Sequence, residues 1–358
     1  MRRADRYLHL WLAAVLLLAG CLRPSPAPTA QLTPAEATPS ALVESPGEIP
    51  VSIIPLAGPI AQSRAEISGM AWAGDRLVIV PQFPGRFPSA GYGSLFTLTE
   101  QQLREAVLAA SLPALTPTAL PFDDGGLSRS VRGFEGFEAI AFRGNQAFLT
   151  IESSTSGGML GYIVTGTLAA DGALLRLFPE SLQPIEPQAP ITNFTDETIL
   201  VTDDRVLTFY ETNGANVNPK PVAHAFDFGL TPLDPIPFLT VEYRVTDASA
   251  LQPDGRFWVI NYLYPGDVPK LNPASDPIAA RFPLGATHRS AEQVERILAL
   301  RYTEGQIVLE ESPPIQLQLD PDEVRNWEAL VVLQDLGFLL MTDLYPTTLL
   351  GFVPVPVP

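Results

Sequence analysis

The chain has 358 residues, 46% of them hydrophobic, and 22 basic against 39 acidic side chains give a net charge of −17. So acidic a surface repels nucleic acid and anionic lipid headgroups, which excludes both as partners. One cysteine and three histidines rule out a disulfide framework, a zinc–cysteine site and a histidine-rich metal centre, leaving carboxylate oxygens, which suit calcium or magnesium.

Residues 1–20 have the layout of a secretory signal: basic Arg2, Arg3 and Arg6, an apolar run from Tyr7 to Leu18, then the small Ala19 and Gly20. The run is shorter than the roughly 20 apolar residues that span a bilayer. Cys21 follows directly, where a bacterial lipoprotein carries a thioether-linked diacylglycerol. The expected location is therefore the extracytoplasmic face of a bacterial membrane, with the lipid on Cys21 as the anchor. Loss of residues 1–20 removes three arginines and one aspartate, leaving 19 basic and 38 acidic residues and a net charge of −19.

Residues 21–50 are predicted to be a disordered tether. Seven prolines among Ala, Thr, Ser and Glu cannot bury enough apolar surface to offset the entropy of ordering. Proline-rich chain rises about 3.1 Å per residue, so the tether reaches at most on the order of 90 Å. Residues 51–358 carry no second polar linker and read as one domain, a monomer.

That domain contains a repeated unit: a small or acidic residue, an apolar strand, a Gly, Asn or Asp turn, and a second apolar strand. The copies begin at Ile67-Ser68-Gly69-Met70, Glu138-Ala139-Ile140-Ala141, Asp196-Glu197-Thr198-Ile199, Asp247-Ala248-Ser249-Ala250 and Trp327-Glu328-Ala329-Leu330. Each reads as a β-hairpin. Further strands are expected at Met159–Leu168 with Ala173–Phe178, and at Val222–Phe228 with Phe238–Val245. Helices are expected only at Thr99–Ala110, which opens on a capping box, and at Ser290–Leu300. Four strands per unit at spacings of about 50 to 80 residues is the pattern of an all-β propeller. Five blades can be counted, and a sixth is possible within 262–325. Leu349–Val353 leaves the last blade one strand short, and Val51–Leu56 is expected to close the ring by pairing with it.

The phrases Gly136-Phe137-Glu138-Ala139-Ile140-Ala141, Asn326-Trp327-Glu328-Ala329-Leu330 and Tyr210-Glu211-Thr212-Asn213-Gly214-Ala215-Asn216 resemble the "esterase-like activity of phytase" family of exported propellers. The resemblance spans roughly residues 51–353 and implies phytase-like hydrolysis. Ser68-Gly69 departs from its acidic phrase.

Equivalent residues of successive blades converge in a propeller, so Glu138, Glu197, Asp247 and Glu328 are expected to meet around its axis. They either hold a cation such as calcium or hydrogen-bond backbone amides and stitch the blades together. Arg132 is a candidate for a substrate contact or an inter-blade salt bridge. Asn213 is a candidate loop ligand or a turn residue, and Tyr262–Asp267 offers aromatics for a carbohydrate or peptide groove. No Gly-x-Ser-x-Gly elbow, P-loop or dinucleotide fingerprint is present.

Two functions stay open. One is a membrane-anchored exported lipoprotein whose acidic propeller binds a small molecule, carbohydrate or protein, with a central calcium. The other is a calcium-dependent phosphomonoesterase, with Glu138 or Glu328 as general base. Replacing Cys21 with serine is expected to move the protein from the membrane to the soluble fraction of a lysed cell; persistence in the membrane pellet would remove the anchor.

Overall fold

Short β-branched and aromatic runs, broken by glycine and aspartate turns, become strands that pair with their sequence neighbours. The computed structural model describes residues 47–355 except 304 and 321; the signal, Cys21 and the tether through residue 46 lie outside this range. Strand β1 (Ser52–Ile54) comes first. A meander follows, of β2 (Ile67–Ala73), β3 (Arg76–Pro81), β4 (Gly93–Thr99) and β5 (Thr118–Asp123). The next contains β6 (Phe134–Arg143), β7 (Gln146–Thr155), β8 (Gly158–Leu168) and β9 (Leu175–Leu177), with β10 (Gln183–Ile185) also on β8. Parallel pairing of β5 with β9 joins these two into one sheet. A separate sheet holds β11 (Asp196–Val201), β12 (Val206–Tyr210), β13 (Val222–Phe226) and β14 (Pro232–Pro237). Another holds β15 (Arg244–Ala248), β16 (Arg256–Leu263), β17 (Val294–Thr303) and β18 (Gln306–Leu309), with β19 (Ile315–Gln316) on β17. The last is β20 (Trp327–Leu333), β21 (Gly337–Thr342) and β22 (Leu350–Val353), completed by β1.

The first strand of each group packs on the next in a closed cycle: β2 on β6, β6 on β11, β11 on β15, β15 on β20, and β20 back on β2. Apolar layers fill every gap in that cycle. Val80, Leu95, Phe137 and Ile151 lie in the first, and Ala139, Phe148, Ile199 and Val206 in the second. Phe209, Val245, Phe257 and Leu298 fill the third; Trp258, Ile260, Trp327 and Leu340 the fourth; Met341, Leu339, Ile67 and Ile79 the fifth. Burying one such side chain stabilises the fold by about 1.5–3 kcal/mol. Sheets stacked face to face around an axis form a β-propeller. The expected closure is present: Ser52 pairs with Phe352, Ile53 with Gly351 and Ile54 with Leu350, antiparallel.

Four expectations are corrected. Thr99 caps the helix α1 (Glu100–Leu108) through the capping box with Gln102, as read from the sequence, but Ser290–Leu300 is not a helix. Its residues from Val294 onward form β17, which pairs with β16 over eight residues. Glu295 and Arg296 imitate the polar face of a helix, yet both are buried and paired, Glu295 with Arg325 at 2.7 Å and Arg296 with Asp276 at 2.6 Å. Tertiary partners override local pattern here. The runs Leu298–Tyr302 and Gln306–Leu309 extend the sheet begun by β15 and form no sheet of their own.

Phe238–Val245 is not the partner of Val222–Phe228; β14 takes that place. The domain also begins before residue 51. Ile49 bridges to Leu317, and Glu48, assigned to the tether, is half-buried against the domain. Its Oε1 accepts hydrogen bonds from the backbone of Thr287 at 3.0 Å and His288 at 2.9 Å, and from His288 Nδ1 at 2.9 Å. These donors hold the Glu48 carboxyl down at about 2 even though burial raises it.

Ile54 is 1% exposed and Ile53, its neighbour in the closing strand, 38%. Ile54→Ala is expected to lower stability by about 2–5 kcal/mol in urea unfolding, and Ile53→Ala by less than about 1 kcal/mol. Equal losses would mean that the closing strand does not seal the core.

Candidate functional site

Each first strand carries a β-bulge at the same level. Ile67 pairs with Pro81 and Gly69 with Val80, leaving Ser68 between them. The same break leaves Glu197 between Asp196 and Thr198, and Glu328 between Trp327 and Ala329. In β6 it holds Glu138 and Ala139, between Phe137 and Ile140. In β15 it holds Thr246 and Asp247, between Val245 and Ala248. A bulge re-aims the extra side chain out of strict alternation. Ser68, Glu138, Glu197, Thr246 and Glu328 are thus equivalent.

Asp247 therefore does not belong to this level. It stands where Ala139 stands in β6, one residue out of register, and such a slip moves a side chain to the other face. Its carboxylate accepts from the backbone amides of Leu330 at 2.7 Å and Ala248 at 2.8 Å, stitching β15 to β20. Ser68 and Thr246 also stitch, donating to the carbonyls of Phe137 at 2.5 Å and Trp327 at 2.7 Å.

A second level lies one residue beyond. The backbone pairs Gly136 with Glu152 and Arg244 with Tyr262. The amides of Gln82, Glu211 and Asp343 bond to the carbonyls of Glu66, Thr195 and Asn326. Glu152, Glu211 and Asp343 thereby join Glu138, Glu197 and Glu328 at one mouth of the propeller. Arg244 stands among them. It donates through Nε to Glu211 and through Nη2 to Glu328 at 2.8 Å, and Nη2 lies 3.7 Å from Glu197. Asn326 Oδ1 accepts from Arg244 at 3.2 Å, while its Nδ2 donates to Glu328 at 2.6 Å. Gln82 donates to Glu138 at 3.2 Å and Thr195 to Glu152 at 3.0 Å. Gly136 keeps that space open: a Cβ there would stand 2.2 Å from Gln82, on a backbone of φ +150°.

Six carboxyls around one guanidinium cannot all keep their charge in a dry setting. Burial, reinforced by the Glu152 charge, raises Glu138 well above the carboxylate range. Burial likewise raises Glu197, with Glu211 adding to it. It pushes Glu152 and Asp343 up to about 7, and Glu211 to about 8 against the pull of Arg244. Glu197 Oε2, Glu211 Oε2 and Asp343 Oδ1 are buried with no hydrogen-bond partner.

Calcium does not fit this arrangement. The cation among the carboxylates is a guanidinium, and among the described residues no group of three or more acids, histidines or cysteines is disposed to hold a metal ion. The remaining candidates lie apart. Arg132 is exposed on the turn before β6 and makes no ion pair among the described residues, so the expected inter-blade bridge is not formed there. Asn213 is fully buried; its Nδ2 donates to the Tyr210 carbonyl at 2.5 Å and its Oδ1 accepts from Asn218 at 3.4 Å, which makes it a loop fastener.

Sequence reasoning missed Arg244, Glu152, Glu211 and Asp343. The available signal was an acidic residue in the same place near the end of the second strand in three copies, Glu152, Glu211 and Asp343.

Above Arg244 opens a cavity of about 510 Å³, lined by Tyr262, Tyr264, Asn326 and Tyr345, with Asp267, Asp322 and Glu323. A larger one of about 870 Å³, beside Phe83, Tyr92, Phe134 and Arg129, has none of the six clustered carboxyls in its wall. None of them lines the smaller cavity either, but its wall includes Arg244 and Asn326, which bond Glu328 of the cluster.

No protein-family model matches the chain, and no curated protein matches it. Solved structures similar in outline include a glycoside hydrolase of the GH130 family of mannoside phosphorylases, one of those that target β-1,2 mannosidic linkages in Candida mannan (10% identity, 89% of this chain, 97% of the other, TM-score 0.48). Another is the catalytic domain of a GH62 α-L-arabinofuranosidase from Coprinopsis cinerea (9%, 87%, 98%, 0.44). A mitotic checkpoint complex chain is also similar (8%, 92%, 98%, 0.34). So distant a likeness carries nothing about activity, which has to be read from the residues.

The raised carboxyls set the sign of a pH effect. Between the ordinary carboxylate range and about 7, the folded state holds protons on Glu152 and Asp343 that the unfolded chain has released. Stability should therefore fall as pH rises from 5 to 8. Urea midpoints measured across that range are expected to decline, and Glu152→Gln to flatten the slope; a midpoint that climbs with pH would contradict the buried cluster.

Proposed function

We propose that the mouth around Arg244 is the working site of a five-bladed propeller, counting each meander as one blade, and that it binds a hydroxyl-rich small molecule, a saccharide by its chemistry. One observation carries this reading: a concave, tyrosine-lined cavity includes in its wall Arg244 and Asn326, the two residues that bond Glu328 of the buried carboxyl cluster. Tyrosine faces stack on the apolar faces of sugar rings, and Asn326 and the carboxyls supply donors and acceptors for hydroxyls.

Proton transfer is the chemistry such a site supports best. Carboxyls held near 7 can donate a proton at neutral pH, whereas Glu328, paired with Arg244 and Asn326, is placed to act as a base. A raised acid and a paired carboxylate are what hydrolysis of a glycosidic bond requires: one protonates the leaving oxygen and the other assists water.

Phosphomonoester hydrolysis is less well supported. Arg244 is already engaged by Glu211 and Glu328, and the cavity wall adds Asp267, Asp322 and Glu323, so the mouth offers a phosphate mainly negative charge. The kinship with the phytase-like family remains a proposal resting on the short repeated phrases, as does placement on an extracytoplasmic membrane face through Cys21. Screening the purified protein by thermal shift is expected to find a saccharide that raises its melting temperature, whereas phytate and simple phosphomonoesters do not. Asn326→Ala should weaken that saccharide about tenfold, the cost of one lost hydrogen bond in a buried site. Stabilisation by phosphate esters alone would reverse the assignment.

A further inference from the structure

We propose that the cavity over Arg244 is a cation site that receives the ammonium group of its ligand; resting on the saccharide reading above, this narrows the ligand to an amino sugar. The lining combines aromatic faces with unmatched negative charge. Tyr264 and Tyr345 are 46% and 63% exposed, although large apolar side chains are generally withdrawn from water, and both belong to this one cavity. The third ring already shows the interaction: the Arg244 guanidinium carbon lies 5.4 Å from the centre of Tyr262. No such cation stands over Tyr264 or Tyr345 among the described residues.

Charges around the cavity favour a second cation. Asp322 and Glu323 carry no ion pair among the described residues, and Asp267 has only the half-exposed Lys270 at 3.7 Å. Arg244, also in the wall, is already engaged by Glu211 and Glu328, so it does not answer the charges of Asp267, Asp322 and Glu323. An ammonium group over a tyrosine face and beside carboxylates gains from both the ring quadrupole and the Coulomb field. The net charge of −17 adds long-range steering of the same sign. A neutral ligand draws on the rings alone, and an anion meets carboxylates.

Calorimetric titration with the glucosamine trimer, the N-acetylglucosamine trimer and choline separates the possibilities. The glucosamine trimer is expected to bind at least tenfold more tightly than its acetylated counterpart. That preference should vanish in the Asp322→Asn/Glu323→Gln double variant, whose changes are on exposed side chains that the core does not need, and should shrink at high salt. Equal binding of the two trimers would overturn the cation site and leave the saccharide reading standing. Binding of choline but of neither trimer would support the cation site and remove the saccharide reading. Silence from all three would overturn both.

Discussion

The guanidinium of Arg244 is the one positive charge on which the centre of this protein depends. The propeller brings six carboxyl groups to one mouth, where burial denies them water. Arg244 bonds two of them and faces a third, and the protons kept by the others reduce the rest of the repulsion. A buried ion pair seldom adds net stability, because desolvation offsets the attraction. Such a cluster is a set of acids tuned by burial, and acids so perturbed occur both at working sites and in structural networks.

Backbone geometry is what assembles the cluster. A bulge at one level of every first strand releases a side chain from the alternation that would otherwise bury it between sheets or leave it at a sheet face. Three of the five released positions carry glutamate. The other two, Ser68 and Thr246, bond instead to the next first strand and tie the ring together. The same structural position therefore carries a clustered carboxyl in three places and mortar in two. Asp247, next to one of them, performs the stitching with a carboxylate.

The entry of the chain into the domain is fixed just as firmly. Glu48 holds the backbone of Thr287 and His288, and Gly285 leaves room for it, since a Cβ there would meet its side chain at 2.1 Å. His288 faces Glu48 through Nδ1, and its Nε2 lies 3.3 Å from the Glu295 amide nitrogen. A few residues later β1 completes the last sheet.

The repeat was legible in the sequence because hairpins are local: the turn residues and apolar runs that specify them lie within about a dozen residues of each other. Closure of the ring by Val51–Leu56 was legible too, since the last unit visibly lacked a strand. Glu138, Glu197 and Glu328 could be named because each follows the same start of a first strand. Asp247 could not be told from them, because a bulge shifts register by one residue and leaves no mark in composition. Charged residues inside β17 looked helical for a similar reason, since their partners Arg325 and Asp276 lie 30 and 20 residues away in the chain. Tertiary structure alone decided that Arg244, and not a metal-suited set of ligands, stands among the acids. Which side chains meet at a channel mouth depends on strand register and on contacts between distant blades, and neither is encoded within a single repeat.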